Sequence, residues 1–212
     1  MSGVPYVIQA PCFVGKGRPR PMLTQAPRTA FPVVNANTVI SVLAQVRRCV
    51  TCRRRPDGSV EVTVAIEGDA PLGLHAHAGE RDAALQRLMR RTTGKIARRS
   101  RAVLFPEGDE ESAKQLVRSV NEVLTKIAHK PISQRRVESL LDITSAERRR
   151  WSKDGRLKPS GSARIRRGSL ISLPTYSPVM IEQLLKSPAI LADWRAFNVS
   201  QQEHWPQHEM GL

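Results

Sequence analysis

The stretch Leu141–Pro159, LDITSAERRRWSKDGRLKP, decides how the C-terminal half of the chain folds. Thr144 is a good helix cap because its hydroxyl can accept a hydrogen bond from a free backbone N–H. Glu147 follows three residues later and completes a capping-box pattern. Gly155 supplies the stop, since glycine readily adopts the left-handed conformation that ends many helices. The pattern predicts a short helix from Ser145 to about Lys153.

A second short helix is predicted just before this one, over residues Ser133 to Leu141. Val137, Leu140 and Leu141 have the i, i+3, i+4 spacing of one apolar helix face. Two short helices joined by a tight turn form a helix-turn-helix.

Three consecutive arginines, Arg148, Arg149 and Arg150, suggest a role for the later helix. Successive helical residues lie about 100° apart, so three in a row cannot all enter a core. Together with Ser145 and Lys153 they predict a surface that reads a DNA major groove, because arginine pairs with guanine bidentately and also binds phosphate. The alternative is a basic face that only meets solvent.

A basic hairpin is predicted after the helix. Ser160–Ser162 can turn, Arg164–Arg167 then has the character of one strand, and Gly168-Ser169 and Leu170-Ile171 follow it. Such a hairpin beside a recognition helix is a wing, whose cations contact phosphates or the minor groove. The strand contributes three cations: Arg164, Arg166 and Arg167. A further helix is predicted from Ser177 and Pro178, because proline is favoured at the first helical position. Its apolar stripe consists of Ile181, Leu184 and Leu185.

The run Leu141–Leu157, followed by Pro159 and by Tyr176–Ile181, resembles the MerR and excisionase-type winged helix-turn-helix. The resemblance covers about a quarter of the chain. It implies that Trp151 packs inward and that five side chains face DNA: Thr144, Ser145, Arg148, Arg149 and Lys153. The wing lacks the family's Gly-Tyr-Arg and aromatic residues. No long dimerisation helix with an effector domain follows, so a sensor role is not expected.

Composition indicates a polyanionic partner. The chain has 212 residues, a net charge of +15 and a sequence pI of about 10.9. This excess does not choose between DNA, RNA and an anionic membrane. No stretch approaches the roughly 20 apolar residues of a membrane span, and no secretory signal pattern is present, so a cytoplasmic location is expected. Three cysteines do not suggest a disulfide framework.

The N-terminal half is predicted to hold a proline- and arginine-rich arm over residues 1–35 and a small α+β domain over residues 36–105. Pro56-Asp57-Gly58 separates two β-rich runs, and the alternation of Val60, Val62, Val64 and Ile66 favours a strand with one buried face. The expected order is a helix over Asn37–Val46, this hairpin, a third strand over Leu72–His77 and a helix over Arg81–Arg101. The chain as a whole is therefore expected to be α+β, with a helix-hairpin-strand-helix domain before a connecting helix and the winged helix-turn-helix.

The last helix of this domain carries a candidate secondary nucleic-acid contact, Arg87, Arg90, Arg91 and Lys95. The order of elements loosely resembles a double-stranded-RNA-binding domain, although Glu80-Arg81-Asp82 stands where that domain has basic residues. The alternative function is therefore an RNA-binding or non-specific nucleoid-type protein.

Pro106–Asp109 is the predicted boundary to a region over residues 109–187, which begins with a helix from Glu110 to about His129. The apolar stripe of this helix favours packing on the winged unit, with a homodimer seam as the other reading. It consists of Ala113, Val117, Val120, Leu124 and Ile127. Residues 188–212 are interpreted as a tail, whose Trp194 and Trp205 either anchor it to the core or dock a partner.

No catalytic or metal site is predicted. Cys49-x-x-Cys52 and His75-x-His77 could supply zinc ligands, but strand residues three apart point to opposite faces. No Ser-His-Asp or Cys-His arrangement can be assembled, so neither enzyme activity nor a cofactor is expected. The expected function is sequence-specific binding of double-stranded DNA. The biological role would be transcriptional regulation, or an accessory role in recombination, replication or transfer of a bacterial mobile element.

Overall fold

The computed structural model describes residues 36–96, 101–167 and 169–203, and it is an α+β structure of two units. The N-terminal unit contains α1 (Ala36–Arg48), β1 (Val50–Arg54), β2 (Val60–Val64), α2 (Leu72–Ala76), α3 (Ala78–Arg90), β3 (Lys95–Ile96), β4 (Ala102–Phe105) and α4 (Glu110–Ala128). The C-terminal unit contains β5 (Ile132–Ser133), α5 (Gln134–Leu141), α6 (Ser145–Lys153), β6 (Gly161–Arg167), β7 (Ser169–Tyr176), α7 (Pro178–Lys186) and α8 (Pro188–Glu203). The proposed arm over residues 1–35 lies outside the described residues.

An antiparallel sheet of order β1-β2-β4-β3 forms the centre of the N-terminal unit. The predicted hairpin is confirmed: Cys52 lies opposite Val62, and Gly58 in the turn has φ +80°, a conformation that suits glycine. Val62 and Val64 are buried, as the alternation predicted. The sheet therefore presents one apolar face to the helices.

Helix α4 covers that face. Two readings of α4 were predicted, packing on the winged unit and a homodimer seam, and both are corrected. Its apolar stripe, including Val120 and Leu124, shares one core with Val62 and Val103 of the sheet. The stripe is thus buried within its own chain, so the expected dimer seam along Glu110–His129 is wrong, and so is packing mainly on the winged unit. The boundary between the units falls after α4 and not at Pro106–Asp109.

Two further expectations for the N-terminal unit are wrong. The stretch predicted as a strand, Leu72–His77, contains helix α2 (Leu72–Ala76), and the sheet is completed by β4 and β3. Gly73 brings this helix against the end of α4, where an added Cβ would lie 2.1 Å from the carbonyl oxygen of Ala128. The expected long helix Arg81–Arg101 ends at Arg90, and Lys95 lies in strand β3. A Thr-Thr-Gly run after the helix favours this break, because β-branched residues and glycine are weak helix formers.

The C-terminal unit packs around Trp151, Leu157, Tyr176 and Ile181, all fully buried. Its sheet has the order β5-β7-β6. The predicted helices before and after the hairpin are confirmed as α5, α6 and α7. Residues 188–203 form α8, so the expected tail boundary is corrected. Trp194 is buried and confirms the anchor reading, whereas Trp205 lies outside the described residues.

The two units contact each other through α2, α3 and α7. The backbone N–H of Leu72 donates to Glu182 Oε2 at 3.4 Å, and Lys130 pairs with Glu80 across the junction. Among the described helices, none has the length and apolar character needed to cross a membrane.

Candidate nucleic-acid interface

Helix α6 begins at a complete capping box, as the sequence predicts. Thr144 Oγ1 accepts from the Glu147 backbone N–H at 3.1 Å, and the Thr144 backbone N–H donates to Glu147 Oε2 at 2.7 Å. Such caps satisfy backbone donors that the helix itself leaves free. The start of α6 is therefore fixed by its own sequence.

The turn before α6 is fixed from a distance by helix α8. Arg195 donates to the carbonyl oxygen of Asp142 at 2.7 Å and to Glu147 Oε1 at 2.8 Å. Burial opposes the charge on Glu147, but the hydrogen bonds from the Thr144 backbone and from Arg195 outweigh it, so the pKa of Glu147 is lowered. Asp142 itself has φ +49°, a left-handed conformation that ends α5. The sequence analysis missed the role of Arg195.

Arg148 does not face outward, which corrects the expectation that it contacts DNA. It is 5% exposed and donates to Glu138 Oε1 at 2.6 Å and to the Tyr176 hydroxyl at 3.2 Å. Burial opposes its charge, but these two hydrogen bonds outweigh burial and raise the pKa of Arg148. Ser152 also contacts the Tyr176 hydroxyl, at 2.9 Å. The inner face of α6 is thus tied to α5 and β7 by a polar network.

The outer face of α6 carries the remaining predicted residues. Ser145, Arg149 and Lys153 are four residues apart and therefore lie along one face of the helix, with Arg150 at its edge. All four side chains are exposed, as is Thr144. The Ser145 hydroxyl donates to Glu138 at 2.9 Å. Within the described part of the chain, no carboxylate forms an ion pair with Arg149, Arg150 or Lys153. The cations of this face are exposed, although the charge of Arg149 contributes to the lowered pKa of Glu138.

Arg156 is a second buried arginine that the sequence analysis did not identify. Its guanidinium lies 5.9 to 6.0 Å from the ring centroids of Trp194 and Trp151, which contact each other edge to face. It donates to Asp154 at 2.6 Å and to Asn198 at 2.7 Å. Helix α8 is thereby held against the end of α6. Asp154 is a local partner, whereas Trp194 and Asn198 lie 38 and 42 residues from Arg156, so the contact with α8 has no local sequence signal.

The β6–β7 hairpin projects from the C-terminal unit. Its strands pair from Gly161 opposite Thr175 to Arg167 opposite Ser169. Arg164 and Arg166 are exposed and have no carboxylate partner among the described residues; the side chain of Arg167 lies outside the described side chains. The predicted basic hairpin is confirmed, and it lies next to α6 in sequence and on the same core.

Helix α5 adds two exposed arginines, Arg135 and Arg136, that the sequence analysis did not single out. Both are charged residues outside the apolar stripe that Val137, Leu140 and Leu141 form. Arg136 lines a cavity with Ala163 of β6 and Thr175 of β7, so it lies near the base of the hairpin.

The secondary set lies in the N-terminal unit, and its four side chains are all exposed: Arg87, Arg90, Arg91 and Lys95. Arg87 donates only to the Ala83 carbonyl of its own helix, at 3.2 Å. The first three lie at or just after the end of α3, whereas Lys95 comes from β3. No member forms an ion pair within the described residues.

Cys49 is buried and Cys52 is exposed, and burial raises the pKa of the Cys49 thiol. Among the described residues, no three His, Cys, Asp or Glu side chains are placed to hold a metal ion. Comparison of the chain with protein-family models, with curated proteins and with solved structures gives no match.

Proposed function

We propose that this protein binds double-stranded DNA at specific sequences through a winged helix-turn-helix. In this proposal, α6 enters the major groove with Arg149 and Lys153 towards base edges and phosphates, and the β6–β7 hairpin contacts the adjoining backbone. The observation that carries the proposal is the exposed cationic outer face of a capped helix whose inner face contacts the base of a basic hairpin at Tyr176. Arg148 has no part in the contact, because it is committed to Glu138.

The biological role that we propose is transcriptional regulation, or an accessory role in recombination, replication or transfer of a bacterial mobile element. The resemblance to MerR and excisionase-type units supports this role. Helix α8 supports it as well, since Trp194 and Arg195 fold this helix back onto α6 and its turn, whereas a sensor of the MerR type would extend it as a dimerisation helix.

The test is selection of duplexes from a random library by the wild-type protein, followed by affinity measurements on the recovered site and on a scrambled duplex at two salt concentrations. Arg149→Ala should weaken binding to the recovered site by about 1–3 kcal/mol while binding to the scrambled duplex changes much less. Arg118→Ala is the matched control, because Arg118 is an exposed arginine on α4 in the other unit. Recovery of no preferred site would contradict the proposal.

A second candidate function is non-specific or RNA binding through the N-terminal unit. It is favoured by the unpaired, exposed set Arg87, Arg90, Arg91 and Lys95. If the triple change of Arg87, Arg90 and Arg91 to Ala abolishes all nucleic-acid binding while Arg149→Ala has no effect, this candidate replaces the first. A lower salt dependence without loss of site preference would instead assign these residues to phosphate contacts.

A further inference from the structure

The β6–β7 hairpin carries an exposed leucine near its far end. Leu170 is 67% exposed, the largest value among the large apolar side chains that the structure describes. Exposure rises along β7 from the fully buried Tyr176 through the half-buried Leu173 to Leu170. The hairpin therefore leaves the core at its base and presents Leu170 away from the body of the unit.

Leu170 shares a face of the hairpin with two arginines. It lies directly opposite Arg166, and Arg164 is two residues further along β6, opposite Ser172. Directly paired residues and residues two apart along a strand point to the same side of a sheet. Ile165 and Ile171 pair on the other side. One face of the hairpin is thus a leucine beside two cations that have no carboxylate partner among the described residues.

We propose that Leu170 enters the minor groove of the bound duplex and wedges between two base pairs, while Arg164 and Arg166 hold the phosphates beside it. This inference rests on the proposed DNA-binding function. Phosphate contacts would use the arginines alone. A leucine on the same face, opposite Arg166, also provides an apolar surface, and the two together match a partner with an anionic rim and an apolar interior. Apolar wedges in the minor groove partly unstack the bases and kink the duplex by roughly 20–90°. The protein is then a DNA-bending protein as well as a DNA-binding one.

The experiment measures bending by energy transfer between dyes at the two ends of a duplex of about 30 base pairs that carries the selected site. The full-length protein is added to saturation, and binding is followed separately by anisotropy. The wild type should bring the ends closer by a bend of about 20° or more. Leu170→Thr should lose at least half of this bend, since threonine keeps the strand but cannot wedge. Leu170→Met should keep the bend, because its volume and apolar character are similar.

Two control variants distinguish loss of the proposed wedge from a general loss of an exposed leucine and from a loss of DNA affinity. Leu185→Ala removes another exposed leucine, on α7, and should leave the bend unchanged. Arg166→Ala should weaken binding, yet the bend should survive at saturating protein. Circular dichroism of each variant checks that it remains folded.

The outcomes that overturn the inference differ from those that overturn the proposed function. An unbent duplex with the wild type, an equal bend with Leu170→Thr, or loss of the bend in both Leu170 variants while binding persists would overturn the wedge alone. Failure of the wild type to bind any duplex would overturn the DNA-binding function and the wedge with it, as would binding to anionic lipid vesicles in place of DNA.

Discussion

The inner and outer faces of α6 use the same residue type for opposite purposes. Arg148 is buried, pairs with Glu138 and reaches Tyr176, whereas the adjacent Arg149 is exposed and has no ion-pair partner among the described residues. One step of about 100° around the helix separates them. The difference teaches that a run of arginines is not a uniform basic surface: one member positions the helix, and its neighbours remain available to a partner.

Replacing Arg148 should change the free energy of unfolding more than any other substitution considered for the two faces. Arg148→Ala removes the cationic partner of the half-buried Glu138 carboxylate, which keeps the Ser145 hydroxyl, and one of the two partners of the Tyr176 hydroxyl, which keeps Ser152. The free energy of unfolding should therefore fall by about 2–4 kcal/mol. Arg150→Ala, on the outer face, should change it by less than about 0.5 kcal/mol. Urea unfolding of both variants measures this. Equal small effects would mean that the two faces do not differ.

Lowering the pH also tests how much the inner face of α6 contributes to stability, because Glu138 is the carboxylate of the Arg148–Glu138 ion pair. Burial raises the pKa of Glu138, but hydrogen bonds from Arg148 and Ser145 outweigh it, and the folded pKa lies below the ordinary value of 4.5. A lowered carboxyl pKa stabilises the fold at pH values above 4.5, and this contribution is lost as the pH falls through the folded pKa.

Glu138→Gln should therefore be less stable than the wild type at neutral pH, and the gap between the two should shrink in acid. Thermal unfolding at a series of pH values checks this. A gap that stays constant down to the acid transition would show that the charge on Glu138 contributes nothing to stability.

Removing the capping box of α6 should cause the next largest loss of stability. Thr144→Ala removes the acceptor for the Glu147 backbone N–H, and the free energy of unfolding should fall by about 1 kcal/mol. Thr144→Ser retains the hydroxyl and should restore most of this loss. If both variants lose the same amount, then the Arg195 contact to Glu147, and not the cap, fixes the start of α6.

The smallest expected effect is a gain. Asp142→Gly relieves a left-handed residue and removes a negative charge from the C-terminal end of α5, so stability should rise by up to about 1 kcal/mol. Asp142→Ala, which keeps the left-handed conformation strained, is the matched control and should not gain. A loss in the glycine variant would indicate that the turn needs the aspartate side chain.

Local motifs predicted the elements of the candidate site, because caps, turns and a proline at the first helical position act within a few residues. The sequence did not predict which of the three arginines is buried. That choice depends on Glu138 and Tyr176, which are 10 and 28 residues from Arg148. The role of Arg195 depends on a contact across 53 residues and was missed for the same reason.

The fold of the N-terminal half was predicted less well, for two physical reasons. Leu72–His77 is a short apolar run, and such runs do not distinguish a strand from a buried helix. The stripe on α4 is suited equally to a partner chain, to the C-terminal unit or to its own sheet, and only the assembled sheet selects among these partners. Amphipathic spacing establishes that a face is buried but not what buries it.

Trp151 and Trp194, which contact each other edge to face, make intrinsic tryptophan fluorescence a probe of the C-terminal unit. All three tryptophans of the chain, Trp151, Trp194 and Trp205, come after residue 150, so the N-terminal unit emits no tryptophan fluorescence. Trp151 belongs to α6 itself, and its indole lies beside the Arg156 guanidinium. Tryptophan emission therefore reports on the C-terminal part of the chain, whereas far-ultraviolet ellipticity reports on both units. A difference between the two signals on heating would show that the two units melt separately.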